Sequence, residues 1–229
     1  MPISDMSKVV IFGDGKYADE VFGYLTGDSP HDVVAFTVDE AHVTSRQKLG
    51  LPVVPFEEVS RRYPPDEHRM FVAIGYQDLN RLRARKYEEA KAKGYELISY
   101  ISSRASNTGN VEVGDNCLVL DFAVLQPYAT VGNDVFIWSG NLIGHHARVG
   151  DHCYVAGHVV VSGSTTIEPH CFIGVNATLG HEITIGRESV IGAGALVTKT
   201  VEPRSVHIVQ DTPRYRLDSA AFLRLTKMK

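Results

Sequence analysis

The fold is decided by residues 113–197, VGDNCLVLDFAVLQPYATVGNDVFIWSGNLIGHHARVGDHCYVAGHVVVSGSTTIEPHCFIGVNATLGHEITIGRESVIGAGALV. Within this stretch Val, Ile or Leu recurs at every sixth position, fifteen times in succession. The fifteen positions are Val113, Val119, Leu125, Val131, Ile137, Ile143, Val149, Val155, Val161, Ile167, Ile173, Leu179, Ile185, Ile191 and Val197. A strict internal period predicts a repeat architecture, in which each unit buries its apolar residue only by stacking on its neighbours.

The repeating unit also carries a glycine and a second small residue. Glycine directly follows the apolar residue in eight of the fifteen units, where a chain corner needs little bulk or an unusual φ. Four positions beyond the apolar residue the side chain is mostly small, as in Ala123, Ala147 and Ala177. Two inward-facing positions in six residues predict one short strand followed by one turn.

This pattern resembles that of the hexapeptide-repeat acyltransferases. The resemblance implies a left-handed parallel β-helix of triangular section with three hexapeptides per coil, so that fifteen repeats make five coils. Residues n and n+18 are then expected about 4.8 Å apart, the spacing of neighbouring parallel strands. The left hand comes from the resemblance alone, because the general rule for parallel crossovers predicts the opposite hand. No long loop is expected inside the β-helix, since the period has no slip.

Composition and charge exclude several classes of function. The chain has 229 residues, 44% of them apolar, which is ample for a core and suggests one or two domains. A net charge of −4 and a pI near 6.2, with no block of Lys and Arg, favour neither nucleic acid nor an anionic membrane as a partner. The sequence lacks a spanning apolar run, and its start lacks the signal-peptide pattern, so a cytoplasmic location is expected.

The three cysteines fall on the small inward position of the repeat. They are Cys117, Cys153 and Cys171, and the last two are expected to stack in adjacent coils. We predict buried, unpaired thiols, because side chains stacked in register are too far apart at Cβ for a disulfide and the expected compartment is reducing.

Residues 1–100 lack the six-residue period and predict a separate α/β domain, followed by the β-helix over 101–205 and a tail over 206–229. Short apolar strands alternate there with helix-like segments, which is typical of a small, Rossmann-like parallel sheet. The strands are KVVIF, DVVAFTVD, LPVVPF and MFVAIG, and the helices are YADEVFGYLTG, FEEVSRRYPP and LNRLRARKYEEAKAKG. Asp78 is expected to cap the last helix and Gly94 to end it. In the tail, SAAFLRLTKMK predicts a short helix that packs on the β-helix or on a neighbouring chain.

Two strand ends in this domain are candidate nucleotide contacts. Gly13, Asp14 and Gly15 form a turn between the first strand and the first helix, where a phosphate could lie on backbone N–H groups or glycine could simply make the turn tight. Asp39, at the end of the second strand, could contact a ribose or base, or be a solvated strand end.

The order of the two domains resembles the family of sugar acyltransferases that includes sialic acid O-acetyltransferases and the N-acetyltransferases of UDP-4-amino sugars. The resemblance covers nearly the whole chain and rests on FGDG, on VAIG with Asn80 and Arg81, on Asp39, and on the segment from GNVEVGDN to IGAGALVTKTV. It implies that the first domain holds the nucleotide of the acceptor. The residues it implicates are Gly13, Asp14, Gly15, Lys16, Asp39, Gly75 and Arg81. The chain departs from the family's Gly-x-Gly-Gly-His turn, since Lys16 and Tyr17 replace Gly-His.

The histidines of the β-helix are candidate catalytic groups, because they fall at outward-facing corners. In the family the general base lies in the pattern His-x-x-x-[Ile/Val]-Gly, which points to His145, with His146 where an acidic neighbour usually stands. Glu182 is expected to lie too far from His146 to replace that acid. Tyr154 stands nine residues after His145, where the family often has a second histidine.

Other outward-facing residues leave alternatives open. His152 and His170 are expected to stack in one column on the surface, and His158 to line or rim the site. Trp138 either forms a wall of the substrate cleft or lies at a contact between subunits.

The resemblance implies an acyl-CoA-dependent acyltransferase, most simply an acetyltransferase, that acts on an amino or hydroxyl group of a nucleotide-linked or free bacterial surface sugar. His145 would accept the proton, and the backbone N–H of Gly157 would hold the thioester oxygen. Acetyl-CoA would lie between two β-helices of a homotrimer. The wall of the acetyl-CoA site would be formed by Gly174, Val175, Gly192, Ala193, Gly194 and Ala195, with Arg214 near the adenine.

Two other classes of protein remain as alternatives. Some trimeric β-helices of this type are zinc carbonic anhydrases, but no histidine pair here has the five-residue spacing that their site needs, so no metal is expected. The altered glycine turn and the missing acidic partner also leave open a non-catalytic protein that binds a nucleotide sugar. Within the acyltransferases, N-acylation of a nucleotide-linked amino sugar and O-acetylation of a sialic-type sugar both fit the sequence.

Overall fold

The structure is a computed structural model that describes residues 6–107 and 109–226. The first five residues of the predicted α/β domain and the last three of the predicted terminal helix lie outside this description, as does residue 108.

The first domain is a five-stranded sheet with helices on it. Its order is β3-β4-β2-β1-β5, and all neighbours are parallel except β3 and β4. Its elements are β1 (Lys8–Phe12), α1 (Lys16–Asp28), β2 (Asp32–Val38), a 3-10 turn (Glu40–His42), β3 (Gln47–Lys48), β4 (Leu51–Pro55), α2 (Val59–Arg62), β5 (His68–Val72) and α3 (Arg81–Ala92). The predicted α/β sheet is therefore confirmed.

The start of α3 differs from the prediction. Asp78 does not cap this helix: α3 begins at Arg81, and Asn80 precedes it with a φ of 66° and no capping hydrogen bond from its side chain. Asp78 and Leu79 also have positive φ, so the chain turns left-handed for three residues before the helix can begin. The helix ends just before Gly94, whose φ of 92° suits the expected stop.

The rest of the chain is a left-handed parallel β-helix of two-residue strands in three sheets. The first sheet contains β6 (Tyr100–Ile101), β9 (Leu118–Val119), β12 (Phe136–Ile137), β15 (Tyr154–Val155), β18 (Phe172–Ile173), β21 (Val190–Ile191) and β23 (Val206–His207). The second contains β7 (Ser106–Asn107), β10 (Val124–Leu125), β13 (Leu142–Ile143), β16 (Val160–Val161), β19 (Thr178–Leu179) and β22 (Leu196–Val197). The third contains β8 (Glu112–Val113), β11 (Thr130–Val131), β14 (Arg148–Val149), β17 (Thr166–Ile167) and β20 (Thr184–Ile185). We call these the covered, apolar and polar faces.

The predicted register is confirmed. Paired strands lie eighteen residues apart, as in Leu125 with Ile143 and Ile143 with Val161. The stack continues beyond the predicted ladder at both ends. Asn107 interrupts the apolar pattern before Val113, and beyond Val197 the last coil is shorter, because His207 pairs with Ile191 only sixteen residues earlier.

The inward positions form one continuous apolar core. The ladder residues from Val119 to Ile191 and the small residues between them are buried in a single cluster that contains all three cysteines. The cysteines are free thiols, as predicted.

The turns between the β-helix strands depend on a residue with left-handed backbone conformation, which the sequence pattern did not identify. The residue three places beyond the apolar one has a left-handed φ in fourteen successive corners, from Asn116 to Gly194. The glycine directly after the apolar residue, for example Gly150, has no such φ. It is required because neighbouring coils approach closely there: a Cβ on Gly150 would lie 2.8 Å from the Pro169 backbone N.

The α/β domain packs on the covered face. The outward side chains of Leu118 and Phe136 are buried in one cluster with Ile11 and Phe71 of the sheet. The Phe71 and Phe136 rings stack with centroids 6.0 Å apart.

Close approach between coils can be tested at Gly150. Gly150→Ala should lower the free energy of unfolding by about 1 to 3 kcal/mol, because the new methyl group meets backbone atoms of the next coil. Gly157→Ala is the matched control, since its Cβ would meet its nearest neighbour at an ordinary 3.5 Å. Equal unfolding midpoints for the two variants in urea would contradict this account.

Candidate functional site

A pocket lies at the carboxyl edge of the α/β sheet, where the strands β1, β2 and β5 end. It has a volume of about 250 Å³. It is lined by Phe12, Gly13, Asp14, Gly15, Tyr17, Val38, Asp39, His42, Ala73, Ile74, Gly75, Gln77, Leu82 and Lys86. The structure therefore brings together five of the seven residues that the sequence implicated in nucleotide binding. We call this the sheet-edge pocket.

Glycine is needed at position 13 of this pocket. Gly13 has a φ of 126°, and a Cβ there would lie 2.8 Å from the carbonyl oxygen of Ala73 on the neighbouring strand end. Its N–H donates to the Thr37 carbonyl. The turn after β1 is thus held tightly against both neighbouring strands, and its backbone forms one wall of the pocket.

Asp39 lies in the pocket but is already paired. The Lys86 ammonium donates to Asp39 at 2.7 Å and to Glu89 at 2.6 Å. Burial alone would lower the pKa of Lys86, but these two hydrogen bonds raise it above its usual value. The pocket therefore contains a fixed cation, a residue that the sequence analysis missed because Lys86 lies on the charged helix α3.

Arg81 of α3 does not lie in the pocket as expected, whereas Arg83 of the same helix has a structural role that the sequence analysis did not foresee. Arg81 lines neither this pocket nor the cleft described below; it pairs with Glu188 at 3.2 Å and is 47% exposed. Arg83 is fully buried and donates to the Asp134 carboxylate at 3.0 Å and to the Gly75 carbonyl at 3.1 Å. It thus joins the turn after β5 to the β-helix.

Further polar groups complete this buried joint. Arg83 also donates to the carbonyls of Asp134 and Cys153, and its guanidinium lies over the Phe136 ring. Asn116 donates to Asp134 and bonds the backbone of Val72. Every part of the guanidinium charge is thus matched by an acceptor or an aromatic face.

His152 and His170 belong to the same joint, so their expected surface position is wrong. They do stack in one column, with centroids 4.8 Å apart, but His152 is mostly buried and its Nδ1 lies 2.9 Å from Asp134. The Nδ1 of His170 is buried and has no partner among the described residues. Burial lowers the pKa of His170, and the charge of the neighbouring His152 lowers it further. Glu188, Arg81 and Asp134 are its other charged neighbours.

A second cavity, of about 460 Å³, lies where the α/β domain meets the covered face. We call it the aromatic cleft. Its lining is Lys16, Tyr17, Glu20, Tyr76, Trp138, Tyr154, Ala156, Phe172, Gly174, Val175 and Ala193. Three residues assigned to the substrate (Lys16, Trp138, Tyr154) and three assigned to acyl-CoA (Gly174, Val175, Ala193) therefore line one space. Trp138 forms a wall of this cleft, one of its two expected positions.

Tyr17 and Tyr154, two of the residues at which the chain departs from the family pattern, contact each other. Their hydroxyls form a hydrogen bond of 3.1 Å across 137 positions of sequence. Burial raises the pKa of both hydroxyls, so both stay neutral and keep this bond. Among the residues that the structure describes, Tyr17 alone lines both the sheet-edge pocket and the aromatic cleft.

His145 and His146 lie at an exposed corner between the apolar and polar faces. Their Nδ1 atoms are 3.2 Å apart, so one ring donates to the other, and the His146 ring stacks on Tyr128 with centroids 4.9 Å apart. Among the described residues, His146 is therefore the side chain that contacts the His145 ring through a ring nitrogen. Neither histidine lines the pocket or the cleft.

A third imidazole, which the sequence analysis missed, lies near this corner. His181 is two coils above His145, and their centroids are 6.1 Å apart because Gly163 leaves the space between them free. Glu182 pairs with His181 at 3.3 Å rather than with His146.

The remaining predicted residues lie outside both cavities. Gly157, Gly192, Gly194, Ala195 and Arg214 line neither. Among the described residues no helix is long and apolar enough to cross a membrane, and no group of three or more His, Cys, Asp or Glu side chains could hold a metal ion.

Comparison with known proteins agrees with the fold. The bacterial transferase hexapeptide family model, of six repeats, matches residues 128–163 and 164–199. A search of curated protein sequences finds no match.

Solved structures match over nearly the whole chain. PerB from Caulobacter crescentus, in complex with CoA and GDP-perosamine, is 25% identical, with a TM-score of 0.76 over 87% of this chain and 93% of that one. The acetyltransferase domain of PglB from Neisseria gonorrhoeae, in complex with acetyl coenzyme A, is 22% identical, with a TM-score of 0.74 over 88% and 95%. WeeI from Acinetobacter baumannii is 21% identical, with a TM-score of 0.74 over 88% and 96%.

An α/β domain docked on a hexapeptide β-helix, with a cavity at their junction, defines an acyltransferase. The chain carries bacterial transferase hexapeptide repeats over residues 128–199 and is similar over most of its length to the structures of sugar acetyltransferases.

The buried joint gives a prediction in which two arginines of one helix are compared. Arg83→Met should lower the free energy of unfolding by about 3 to 5 kcal/mol, because it leaves the Asp134 carboxylate buried without its cation. Arg81→Met should cost much less, since Arg81 is half exposed and its ion pairs are solvated. Urea unfolding of both variants checks this. Similar losses of unfolding free energy in the two variants would show that Arg83 does not hold the two domains together.

The His170 column predicts a pH dependence of stability. Because the pKa of His170 is lowered in the folded state, the unfolded chain binds more protons as the pH falls. Its contribution is therefore fully present above about pH 6.5 and is lost as the pH falls through the folded pKa. His170→Asn should flatten the loss of melting temperature between pH 7 and 5, whereas exposed His207→Asn should leave the slope unchanged. An unchanged slope in His170→Asn would falsify this assignment.

Proposed function

We propose that the chain transfers the acyl group of acyl-CoA, in the first instance acetyl, to the amino group of a nucleotide-linked sugar of the kind used in bacterial surface glycans. The observation that carries the proposal is the sheet-edge pocket with its backbone turns, in a domain docked on a β-helix that presents His145. Support comes from PerB, whose structure contains both CoA and GDP-perosamine.

The nucleotide would bind in the sheet-edge pocket. Its phosphates would lie against the backbone of the Gly13 and Gly75 turns, and Asp14, Gly15 and Lys16 would line their path towards the cleft. The Lys86 ammonium is already bonded to the Asp39 and Glu89 carboxylates, so the backbone N–H groups of the turns would have to hold an anionic ligand. Asp39 would hold the Lys86 side chain in place rather than bind the ligand as a free carboxylate, because the two residues are already paired.

His145 would be the general base. The sugar amine attacks the thioester carbonyl, the new C–N bond forms and the C–S bond breaks. The amine proton passes to the neutral His145 imidazole and from it to the CoA thiolate, so that the products are an amide and CoA. His146, stacked on Tyr128, would hold the His145 ring through the Nδ1 contact and leave the far ring nitrogen of His145 free for the amine.

The thioester would lie along the small residues of the later coils. Its wall would be formed by Gly174, Val175, Gly192, Ala193, Gly194 and Ala195, with the Gly157 N–H at the carbonyl oxygen and Arg214 near the adenine end of CoA. Gly174, Val175 and Ala193 line the aromatic cleft, which supports a donor that ends there.

A homotrimer would complete the site. Outward on the apolar face lie Val124, Leu142, Val160 and Leu196, with Val160 36% and Leu196 70% exposed, whereas the polar face presents Glu112 and Arg148. His145 lies at the edge of the apolar face and outside the cleft of its own chain. If three copies pack with their apolar faces towards a common three-fold axis, His145 of one chain would lie near the cleft of the next chain.

O-acetylation of a sialic-type sugar is the second candidate. Lys16 at the cleft would suit the carboxylate of such a sugar, and the same base and donor would serve a hydroxyl acceptor. In contrast, Glu20 in the same lining would suit an ammonium group, which favours the amine.

The proposed base can be tested directly. With acetyl-CoA and a panel of UDP-, GDP- and dTDP-linked amino sugars, the wild-type chain should release CoA. His145→Ala should lower kcat by about a hundredfold to ten-thousandfold, the usual contribution of a general base. A thiol-reactive dye measures the released CoA.

His31→Ala serves as the control, since His31 directly precedes β2, at the end of the sheet away from the sheet-edge pocket, and lines neither cavity. Its kcat should stay near that of the wild type. If both variants lose activity equally, or if His145→Ala keeps it, His145 is not the base. A free sialic acid in the same panel distinguishes the second candidate.

A further inference from the structure

Beside the proposed base lies a second imidazole that the proposed mechanism does not use. His145, Gly163 and His181 occupy equivalent outward positions in three successive coils. The rings of His145 and His181 lean towards each other across Gly163, so that their centroids are 6.1 Å apart, although two strand spacings separate their backbones by about 9.6 Å. Both rings are exposed, so both can reach a ligand at this corner.

Glycine at position 163 keeps the space between the two rings open. The backbone does not require glycine there, because the left-handed residue of that corner is Ser164, with a φ of 58°, and the same column has Pro127 one coil before His145. A Cβ at position 163 would lie 2.5 Å from the Nε2 of His145 and 2.6 Å from its Cε1. Any side chain at this position would therefore displace the ring of the proposed base.

Each of the two rings has one nitrogen left as a hydrogen-bond acceptor. His145 contacts His146 through Nδ1, and when this Nδ1–H donates, the Nε2 of His145 is the acceptor that a base requires. The Nε2 of His181 lies 3.3 Å from a carboxylate oxygen of Glu182. A carboxylate favours the tautomer whose proton lies on the nitrogen beside it, so the Nδ1 of His181 is left as an acceptor.

Two neighbouring acceptors match an amine better than a hydroxyl. An attacking amine uses its lone pair on the thioester carbonyl and has two N–H hydrogens to donate, whereas a hydroxyl has one O–H. As the C–N bond forms, the nitrogen gains positive charge, and both of its hydrogen bonds become stronger. His145 would take one hydrogen as a proton and His181 would accept a hydrogen bond from the other. A hydroxyl would instead present a lone pair to the Nδ1 lone pair of His181.

We propose that His181, oriented by Glu182, is the residue by which this site selects an amine over a hydroxyl acceptor. The inference rests on the proposed function, because it names the reacting group of the acceptor at that same site. The reaction balances as before: the C–N bond forms, the C–S bond breaks and one proton passes through His145 to the CoA thiolate. The second hydrogen, held by His181 during the attack, stays on the nitrogen of the product amide.

The test is steady-state kinetics of the full chain with acetyl-CoA and the amino sugars of the panel. The hydroxy counterpart of each amino sugar, with the same nucleotide and configuration, serves as a competitive inhibitor. His181→Leu should lower kcat/KM for the amino sugar about tenfold, the effect of one hydrogen bond. The inhibition constant of the hydroxy counterpart should not change, because this sugar has no second hydrogen to donate.

Two further variants separate the acceptor from the shape of the ring. His181→Asn should restore much of the rate, because its side-chain oxygen can accept a hydrogen bond near the position of Nδ1. His31→Leu, at the far end of the sheet, should change neither quantity.

The outcomes distinguish this inference from the proposed function. The role of His181 is overturned, and the transferase stands, if His181→Leu keeps full activity or weakens the two sugars equally. The same holds if His181→Asn is as slow as His181→Leu, or if the wild type acetylates the hydroxy counterparts as fast as the amino sugars. If a folded wild-type chain releases no CoA with any acceptor, the proposed function fails and this inference fails with it.

Discussion

The buried ion pair of Arg83 with Asp134 is the interaction on which the arrangement of this molecule depends. A buried charge without its partner is far more costly than an exposed one, so the two domains cannot separate or slide without a large penalty. The guanidinium also holds the carbonyl of Gly75, which places one wall of the sheet-edge pocket at a fixed distance from the β-helix. The pocket, the cleft and the coils therefore behave as one frame, and no hinge between the domains is needed to explain the site.

The fold could be predicted from the sequence because its main signal is periodic. An apolar residue at every sixth position determines which side chains face inward, and the eighteen-residue register follows once three units make a coil. The ends of the β-helix could not be found in this way. Asn107 occupies a strand although it breaks the apolar pattern, and after Val197 the spacing changes. At both ends hydrogen bonding to the neighbouring coil decides the strand, and the composition of the segment does not.

The site could be predicted only where it depends on topology. The turns at Gly13 and Gly75 come together because the carboxyl ends of neighbouring parallel strands share one edge. Arg81 and Arg83 show the limit. Residues two apart on a helix point about 200° apart, so only one of them can face the β-helix, and the docking of the two domains decides which. No local pattern contains that information, and the same holds for the contact between Tyr17 and Tyr154.

The left-handed corners restrict which chemistry this surface can display. Each corner directs one side chain outward from a backbone with positive φ, a conformation that β-branched residues tolerate poorly. The fourteen residues found there include histidine, asparagine, aspartate, glutamate, serine and glycine, and none is valine, isoleucine or threonine. The left-handed corners therefore accept only a restricted set of residue types, and many of these carry hydrogen-bonding or proton-transferring groups. The backbone conformation that lets the coils stack thus also places polar side chains such as histidine, aspartate and glutamate at the corners, where an active site can form.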